Sequence, residues 1–281
     1  MSRGRMAWYR DALSRHGLQY LSVTVLILVA GAAIFAGAIA PYDPLEIDPG
    51  NILTSPSISH WLGTDEIGRD ILSRIIYGAR ISLSVALAAV GVACGLGIPI
   101  GVFAVFTGNR IENTMMRIID VFVSLPEIFV AIFVLSFLGN SLPTLILTIG
   151  LLYFPQFAKV AHSMARSIKT RDYVLAAVSL GAGPMRIIWR EIMPNMWSVI
   201  IVQISFTFSF AMLLEAGLSF LGLGVMPPMP SWGQMVGRLK DYLFNNPWPV
   251  VFPSIVLFAT ILAINLLGDW LQDRLNPELE E

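Results

Sequence analysis

Long apolar runs separated by short polar stretches form the dominant pattern along this chain. A membrane-spanning helix needs about 20 consecutive, mostly apolar residues. Runs of roughly that length occur in six places: Tyr20–Ala40, Ile81–Thr107, Ile118–Leu138, Leu142–Ala158, Met196–Leu223 and Val250–Gly268. The pattern therefore predicts an all-α, polytopic membrane protein with six transmembrane helices.

Composition agrees with a membrane protein and disfavours several other classes. Hydrophobic residues make up 56% of the 281 residues and charged residues only 13%, whereas a soluble domain carries roughly 25% charged residues. The single cysteine, Cys94, and the three widely separated histidines predict neither a disulfide framework nor a metal site. Because the sequence G-x-x-x-x-G-K-S/T is absent, we expect this chain to hydrolyse no ATP itself. We also expect it to bind no cofactor. Its charge pattern does not predict a nucleic-acid partner.

The basic residues predict the orientation of the chain in the membrane. Six spans place both termini on the same side, and cytoplasmic loops are enriched in lysine and arginine. With cytoplasmic termini, thirteen of the eighteen basic residues lie inside, six of them in the loop 159–195. The predicted segments are a cytoplasmic segment 1–19, a first transmembrane helix 20–40, an outer loop 41–80, a core of five transmembrane helices 81–273 and a cytoplasmic tail 274–281.

The first apolar run has one alternative interpretation, as a cleaved signal peptide. Ala38-Ile39-Ala40 resembles a cleavage site. However, the run is longer than the roughly 7–15 apolar residues of a signal peptide, and Pro41 directly after the site would hinder cleavage. An uncleaved membrane anchor is therefore favoured.

Two outer loops each contain a predicted short helix. In the first, Thr64 precedes two acids, as at a helix start, and apolar residues then recur at helical spacing. This predicts an amphipathic helix at the membrane surface that leads into the second span; an extended loop with scattered isoleucines is the alternative. In the last loop, prolines bracket a possible helix Trp232–Phe244, and Trp232, Tyr242 and Trp248 suit the headgroup level of a membrane.

The loop 159–195 carries the most distinctive polar pattern of the chain. Tyr173–Leu180 favours a helix, glycines follow it, and Pro184 suits the first turn of a second helix. The second helix is predicted to have an apolar face with charges at its rim: Ile187, Ile188 and Ile192 on the face, and Arg186, Arg190 and Glu191 at the rim. Such a basic hairpin predicts a partner protein in the cytoplasm; an amphipathic hairpin bound to lipid is the alternative.

Three acids lie inside the apolar runs, where a charge is costly and therefore marks a candidate functional residue. Asp120 lies one helical turn from Arg117, which predicts a local ion pair. Glu215 is expected to link two helices, with a place in a solute pathway as the alternative. Glu127 follows Pro126 and is a candidate for lining the pathway, where it would attract the amino terminus of a peptide or another cationic cargo.

Small residues crowd the second apolar run. Small side chains let membrane helices approach closely. The run is therefore predicted to pack against a neighbouring span or a second subunit through Gly91, Ala93, Gly95, Gly97 and Gly101.

Three long motifs give the chain a family resemblance. They are LGTDEIGRDILSRIIYGARIS (Leu62–Ser82), DYVLAAVSLGAGPMRIIWREIMPN (Asp172–Asn195) and EAGLSFLGLGVMPPMPSWG (Glu215–Gly233). Together with Met116–Pro126 and Asn265–Pro277, they resemble the permease subunits of peptide and nickel ATP-binding-cassette (ABC) importers. The chain most resembles the second of the two permeases in dipeptide, oligopeptide and nickel systems. The resemblance implies the type I ABC importer permease fold and a place in a bacterial inner (plasma) membrane.

The resemblance also implies how the loop 159–195 acts and with which partners. In this family a helix–glycine turn–helix, the EAA loop, docks into a cleft on the ATPase subunit. The residues that match the loop are Asp172, Ala176, Ala177, Gly181, Arg186, Ile187, Arg190, Pro194 and Asn195, whereas Leu175 stands where the motif has glutamate. The implied partners are a second homologous permease, two ATPase subunits that bind ATP and Mg, a periplasmic or extracellular substrate-binding protein and the lipid bilayer.

These observations predict the permease subunit of an ATP-driven importer that forms a translocation pathway for di- or oligopeptides. Nickel chelates are the alternative cargo, and glutathione-like compounds stay open as well. An ion-driven secondary transporter is the alternative from another class, although an inverted repeat with broken helices is not evident. A membrane enzyme is disfavoured, because no histidine lies deep in a span near Ser219 and the sequence H-E-x-x-H is absent.

Overall fold

Helices form nearly all of the regular structure in the computed structural model, which describes residues 3–275 and the side chains from residue 17 onwards. These helices are α1 (Arg3–Ile34), α2 (Ala36–Ile39), α3 (Ile71–Ala104), α4 (Asn109–Ser124), α5 (Glu127–Leu138), α6 (Leu142–Lys169), α7 (Asp172–Ser179), α8 (Pro184–Ile187), α9 (Met193–Phe220), α10 (Trp232–Leu239) and α11 (Trp248–Leu275). A π-helical turn, Ile188–Ile192, joins α8 to α9, and a 3₁₀ turn, Lys240–Tyr242, follows α10. The all-α prediction is confirmed. Parts of two predicted segments lie outside the described residues, namely residues 1–2 and 276–281 and the side chains of residues 3–16.

Five helical segments of the described chain are long and apolar enough to cross a membrane, and the bent pair of α4 and α5 brings the number to six if it is counted as one span. The five are Gly17–Ile34, Ile71–Ala104, Leu142–Lys169, Pro184–Phe220 and Trp248–Leu275. The prediction of a polytopic membrane protein is therefore confirmed with five to six spans, whereas the cytoplasmic placement of both termini stays a prediction.

The first helix begins well before the apolar run that predicted it. α1 starts at Arg3 and not at Tyr20, so the polar N-terminal segment and the first span form one helix. The short helix α2 ends just before Ala40, which has φ −65° and ψ 127°. Ala40 is extended because it precedes Pro41, and the residue before a proline disfavours helical backbone.

The third predicted span is not one straight helix. α4 and α5 meet at an angle of 88°, and the break between them lies at Leu125 and Pro126. Leu125 is extended (φ −82°, ψ 135°) because it precedes a proline, and Pro126 has no N–H group with which to continue the helix. The prediction of an uninterrupted span Ile118–Leu138 is wrong, and the chain changes direction just before Glu127.

The helix predicted to start at Thr64 starts at Ile71 and continues without a break into the second span as α3. Asp70 caps its N-terminus, because its carboxylate accepts hydrogen bonds from the N–H and the hydroxyl of Ser73, each at 2.8 Å. The residues before it form a tight turn, in which Gly68 has φ +87° and a Cβ atom would overlap a backbone carbonyl of the loop. The prediction of a separate surface helix before the second span is therefore wrong.

The chain divides into two compact units. The first unit combines Met1–Val85 with Met212–Trp270, and the second combines Ala86–Ala211 with Leu271–Glu281. The boundaries fall inside α3, α9 and α11, so each of these three long helices contributes residues to both units.

In the first unit, α10 is fixed to the start of α3 by Trp232. The side chain of Trp232 is fully buried; its indole N–H donates to the Ile75 carbonyl at 2.9 Å, and its backbone N–H donates to the Ser82 hydroxyl at 3.1 Å. Gly78 leaves space for the ring, since a Cβ there would lie 3.0 Å from it. Trp232 is therefore packed inside the protein and does not face lipid, whereas the predicted helix in this loop is confirmed as α10 and its 3₁₀ turn.

In the second unit, glycines of α3 let it pack closely against α6. A Cβ on Gly97 would lie 2.5 Å from the Cβ of Phe157, and a Cβ on Gly101 would lie 2.9 Å from the Cβ of Ala161. Larger side chains at these two positions would therefore force the helices apart. The predicted packing against a neighbouring span is confirmed at Gly97 and Gly101, whereas Gly95 has no atom within 4 Å of a Cβ position.

Candidate functional site

The predicted helix–glycine turn–helix is present in the loop 159–195. α7 covers Asp172–Ser179, and α8 begins at Pro184, with the extended residue Gly183 as its N-cap. Proline is favoured at this first helical position, because its fixed φ suits a helix and its missing N–H would have no partner there. The predicted end of the first helix and start of the second are confirmed.

The turn between the two helices depends on Gly181. This residue has φ +83°, a left-handed conformation that favours glycine. Its N–H donates to the Val178 carbonyl at 2.9 Å, and the N–H of Ala182 donates to the Ala177 carbonyl at 3.0 Å. These two bonds close the end of α7 in the pattern of a Schellman motif, so the direction of the chain after α7 is set by backbone geometry.

The apolar face predicted for the second helix points into the protein. Ile187, Ile188 and Ile192 are 4%, 4% and 0% exposed. They are buried inside the second unit, to which the whole hairpin and α6 belong. Ile187, which matches the family loop, is therefore a buried residue of the hairpin, and its part in coupling stays a prediction.

A different set of large apolar side chains is exposed on the hairpin, and we call it the apolar knob: Leu175, Val178, Leu180, Met185 and Trp189. Leu180 in the turn is 89% exposed and Trp189 is 65% exposed. Leu175, the position where the family motif has glutamate, thus adds to an apolar surface. The sequence-based reasoning missed this set, and its only local signal was Trp189 between the two rim arginines.

The remaining predicted loop residues lie around the apolar knob. Those with exposed side chains are Asp172, Ala176, Arg186, Arg190, Pro194 and Asn195, whereas Ala177 is half-buried. A pocket of about 90 Å³ opens at the turn, lined by Ala177, Leu180, Ala182, Arg186, Ile187 and Glu191. The exposed arginines give the rim of this surface a positive charge.

The hairpin continues directly into the fifth span through the π-helical turn. In this turn the Met193 N–H donates to the Ile188 carbonyl, five residues back. Pro194 has no N–H for the Arg190 carbonyl, which accounts for the interruption of the α-helical bonding pattern. The side-chain amide of Asn195 donates to the Glu191 carbonyl at 2.6 Å. π-helical turns of this kind are frequent at functional sites.

Asp120 pairs with a different residue from the one predicted. Its carboxylate lies 2.6 Å from the Lys159 ammonium on α6, and both side chains are exposed, by 60% and 40%. The predicted local pair with Arg117 is replaced by this bond between α4 and α6. An exposed ion pair contributes about 0–1 kcal/mol, so its main effect is on which residues of the two helices face each other.

A second and more buried ion pair joins α4 to α6. Glu112 is 7% exposed, and its Oε1 atom lies 2.7 Å from the His162 Nε2 atom and 3.3 Å from an Arg166 guanidinium nitrogen. Near the end of α6, the Lys169 ammonium donates to the Val105 carbonyl at 2.7 Å. These bonds hold the end of α6, immediately before the hairpin, to its neighbours in the second unit.

Glu127 lies at the start of α5, just after the 88° break. It is half-buried, and its Oε2 atom accepts a hydrogen bond from the Tyr153 hydroxyl of α6 at 2.8 Å. Tyr153 itself is 3% exposed and also lies 3.4 Å from the Phe210 carbonyl of α9. The acid predicted to line a pathway is thus placed where three helices of the second unit meet.

Glu215 is fully buried in the first unit. Its Oε1 atom accepts hydrogen bonds from the Ser219 hydroxyl at 2.7 Å and from the Ser231 hydroxyl at 2.9 Å. Ser231 is the N-cap of α10, so the carboxylate ties α9 to the start of that helix. The Oε2 atom has no hydrogen-bond partner.

The loop between α2 and α3 is built around a buried acid that sequence reasoning did not single out. Asp65 (1% exposed) lies 2.6 Å from Arg69 and 3.4 Å from Arg74, which are 4% and 1% exposed. In the same loop Asp48 is half-buried, and hydrogen bonds from the Asn51 amide and from a backbone N–H lower the pKa of its carboxyl group. In the described part of the chain, no group of three or more His, Cys, Asp or Glu side chains is placed to hold a metal ion.

Comparison with known proteins identifies the family. Residues 97–281 match the model of the binding-protein-dependent transport system inner membrane component, and residues 2–56 match the N-terminal TM domain of oligopeptide transport permease C. The di/tripeptide transport system permease protein DppC of Pseudomonas aeruginosa (strain UCBPP-PA14) is 38% identical over 91% of this chain and 86% of its own length. The glutathione transport system permease protein GsiD of Escherichia coli O6:K15:H31 (strain 536 / UPEC) is 36% identical over 98% of this chain and 92% of its own length.

Solved structures share the fold. A chain of the MetNI methionine ABC transporter, in inward-facing conformations, matches with a TM-score of 0.61 at 19% identity, over 73% of this chain and 97% of that chain. A chain of an amino acid ABC transporter with histidines matches with a TM-score of 0.54 at 17% identity, over 72% and 94%. The fold is that of a type I ABC importer permease. The chain belongs to the family of binding-protein-dependent transport system inner membrane components. Within it, the chain is a DppC/OppC-like permease, a multi-pass protein of the inner membrane.

Proposed function

We propose that this chain, with a second homologous permease, forms the translocation pathway of an ATP-driven importer of short peptides. Support for the cargo comes from relatives, which are named for di/tripeptide transport and for glutathione transport. Both names describe small zwitterionic peptides or peptide-like compounds. Identities of 36–38% over nearly the whole chain favour a cargo of the same chemical class.

The apolar knob is the observation that carries the coupling part of the proposal. Large exposed apolar patches rimmed by polar residues mark interaction sites on proteins. The patch lies on a hairpin whose turn is fixed by backbone hydrogen bonds, with Arg186 and Arg190 beside it. In the proposed complex, the loop faces the cytoplasm and the knob sits in a cleft of an ATPase subunit. Two such ATPase subunits bind ATP and Mg and carry out the hydrolysis.

The proposed cycle follows from rigid attachment of the knob to the spans. ATP binding closes the two ATPase subunits, and the hairpins of both permeases follow this movement. The pathway then opens outward and receives cargo from a substrate-binding protein outside the membrane, and hydrolysis resets it inward. The buried isoleucines and the π-helical turn connect the hairpin to α9, so movement of the knob reaches the fifth span.

Substitutions in the knob test the coupling. Leu180→Asp and Trp189→Asp place a charge in the proposed contact, whereas Phe244→Asp changes an equally apolar side chain, 97% exposed, in an outer loop. Loss of a central contact costs at least about 2 kcal/mol, so ATPase co-purification and uptake should fall by roughly tenfold or more in both knob variants. The control should behave like the wild type. Normal ATPase co-purification in both knob variants would contradict the proposed contact.

Uptake measurements test the cargo. Labelled dialanine, glutathione and nickel are offered to cells with and without this chain, before and after depletion of ATP. We expect loss of peptide uptake without the chain, and dependence of that uptake on ATP. If only nickel uptake is lost without the chain, the cargo is instead a metal chelate. Peptide uptake that persists after depletion of ATP would favour an ion-driven transporter.

A further inference from the structure

A set of four polar residues lies within the apolar helices of the second unit, and we call it the polar strip. Glu127 begins α5, Tyr153 and Gln156 lie near the middle of α6, and Gln203 lies in α9. Tyr153 and Gln156 are three residues apart on one helix, so their side chains are neighbours on its surface. All four belong to segments that are long and apolar enough to span a membrane.

Hydrogen bonds within the protein use only one of the two carboxylate oxygens of Glu127, the acid of the polar strip. The Tyr153 hydroxyl donates to Glu127 Oε2 at 2.8 Å, and Tyr153 is held in place by nearly complete burial. The described hydrogen bonds leave Glu127 Oε1 without a donor. The carboxylate is half-exposed, so one oxygen is fixed by the protein and the other is accessible to a ligand.

The side-chain amides of the two glutamines of the polar strip also have hydrogen-bonding groups without a partner in the strip. The Gln203 amide nitrogen lies 3.5 Å from the Gln156 carbonyl oxygen and 3.1 Å from the Thr207 hydroxyl. The Gln156 amide nitrogen and the Gln203 carbonyl oxygen have no bond within this group, and both side chains are half-buried. The pair therefore offers one donor and one acceptor, which is the complement of a peptide group.

The surroundings explain why these residues need a polar ligand. Charged and amide side chains at membrane depth are costly against lipid, and they usually face a bundle interior or a water-filled cavity. Glu127, Gln156 and Gln203 are half-exposed on this chain, so we expect them to face a polar space in the assembled transporter. We propose that the polar strip is a binding site for a zwitterionic peptide inside the translocation pathway. Glu127 binds the amino-terminal ammonium, and Gln156 and Gln203 bind a backbone amide group of the cargo.

This inference rests on the proposed function, because it assigns residues to the recognition of the proposed cargo. A carboxylate that also accepts a tyrosine hydrogen bond keeps a fixed orientation, and so presents its free oxygen to an ammonium group. Charge-assisted hydrogen bonds of this kind are stronger than neutral ones. An N-acetylated peptide has no ammonium group and would lose the contact with Glu127 while keeping the contacts with the glutamines.

Equilibrium binding of labelled dialanine to the complete importer, purified without its substrate-binding protein, tests the site. Glu127→Gln should raise the dissociation constant for dialanine about tenfold or more, the size expected for a hydrogen bond to a charged group. N-acetyl-dialanine should bind the wild type and this variant with equal, weaker affinity. Gln203→Leu should weaken binding of both peptides by similar factors. Asp273→Asn removes an exposed acid at the end of α11 and serves as the matched control, with unchanged binding.

Uptake of dialanine by wild-type importer in proteoliposomes, with its binding protein, separates the possible failures. Two outcomes would overturn the site and leave the proposed function standing, provided that the wild-type importer takes up dialanine. One is an unchanged affinity for dialanine in Glu127→Gln, and the other is no measurable binding of dialanine to the wild type. Absence of peptide uptake by the wild type would overturn both. Loss of the second permease from purified Glu127→Gln importer would overturn the site as well, because the strip would then be a subunit contact.

Discussion

Replacing Gly181 by serine changes the backbone energetics of the turn and little else. Gly181 has φ +83°, and no heavy atom lies within 4 Å of a Cβ built at this position. A serine side chain therefore meets no steric obstacle from its neighbours. Its cost comes from the left-handed backbone, which residues other than glycine rarely adopt.

The size of this cost can be worked out from the two glycines of the turn. A left-handed residue with a Cβ costs roughly 1–2 kcal/mol. That energy corresponds to a factor of about 5–30 in the population of the native turn relative to competing conformations. At Gly183 the same substitution also meets open space, but φ is −73° and ψ is 161°, and serine is a good N-cap for α8. The two variants therefore differ mainly in backbone strain.

The assay is ATP-dependent uptake of labelled dialanine by the complete importer, with co-purification of the ATPase as a second measurement. Gly181→Ser should reduce both by about fivefold or more, in proportion to the lost population of the native turn. Gly183→Ser should stay within about twofold of the wild type, since it adds no strain. Full uptake by Gly181→Ser at normal membrane levels would refute the reasoning that the turn geometry positions the apolar knob.

Three further predictions concern stability and local order. Gly97→Ala should lower the thermal unfolding midpoint of the detergent-solubilised chain, because its Cβ would collide with α6, whereas Gly95→Ala at an open position should not; equal midpoints would contradict the close packing. Glu112→Gln weakens two charged hydrogen bonds and should destabilise the chain by about 1–3 kcal/mol; an unchanged midpoint would show that this ion pair contributes nothing. Glu215→Ala leaves the Ser231 hydroxyl without its buried acceptor and should speed hydrogen exchange in α10; unchanged exchange would exclude that link.

The hairpin could be predicted from the sequence because its signals are local. Gly181 and Pro184 act through their own backbone geometry, whatever surrounds them. The end of the first hairpin helix and the start of the second were therefore predicted correctly. The break at Pro126 has the same kind of signal, but the apolar run continues through it. Hydropathy alone therefore predicted one span where the chain bends by 88°.

The features that sequence reasoning missed depend on residues far apart in the chain. Trp232 suits a headgroup position by composition, yet it is buried because Ile75 and Ser82 offer partners some 150 residues away. The isoleucines of the second hairpin helix are apolar and so is Trp189, and only packing within the second unit decides which of them are exposed. The glutamines of the polar strip carry no motif, since their pairing joins α6 to α9.

The unbroken course of α6 has a mechanical consequence. A helix of 28 residues is about 42 Å long, and this one runs from Leu142 to Lys169, immediately before the hairpin. Such a rod acts as a lever: a tilt of about 5° at one end displaces the other by about 4 Å. Near the middle of the rod, at Tyr153, the displacement is about half of that, which still exceeds the tolerance of a hydrogen bond. A few degrees of rotation at the end of α6 next to the hairpin would therefore be enough to make or break the bond to Glu127.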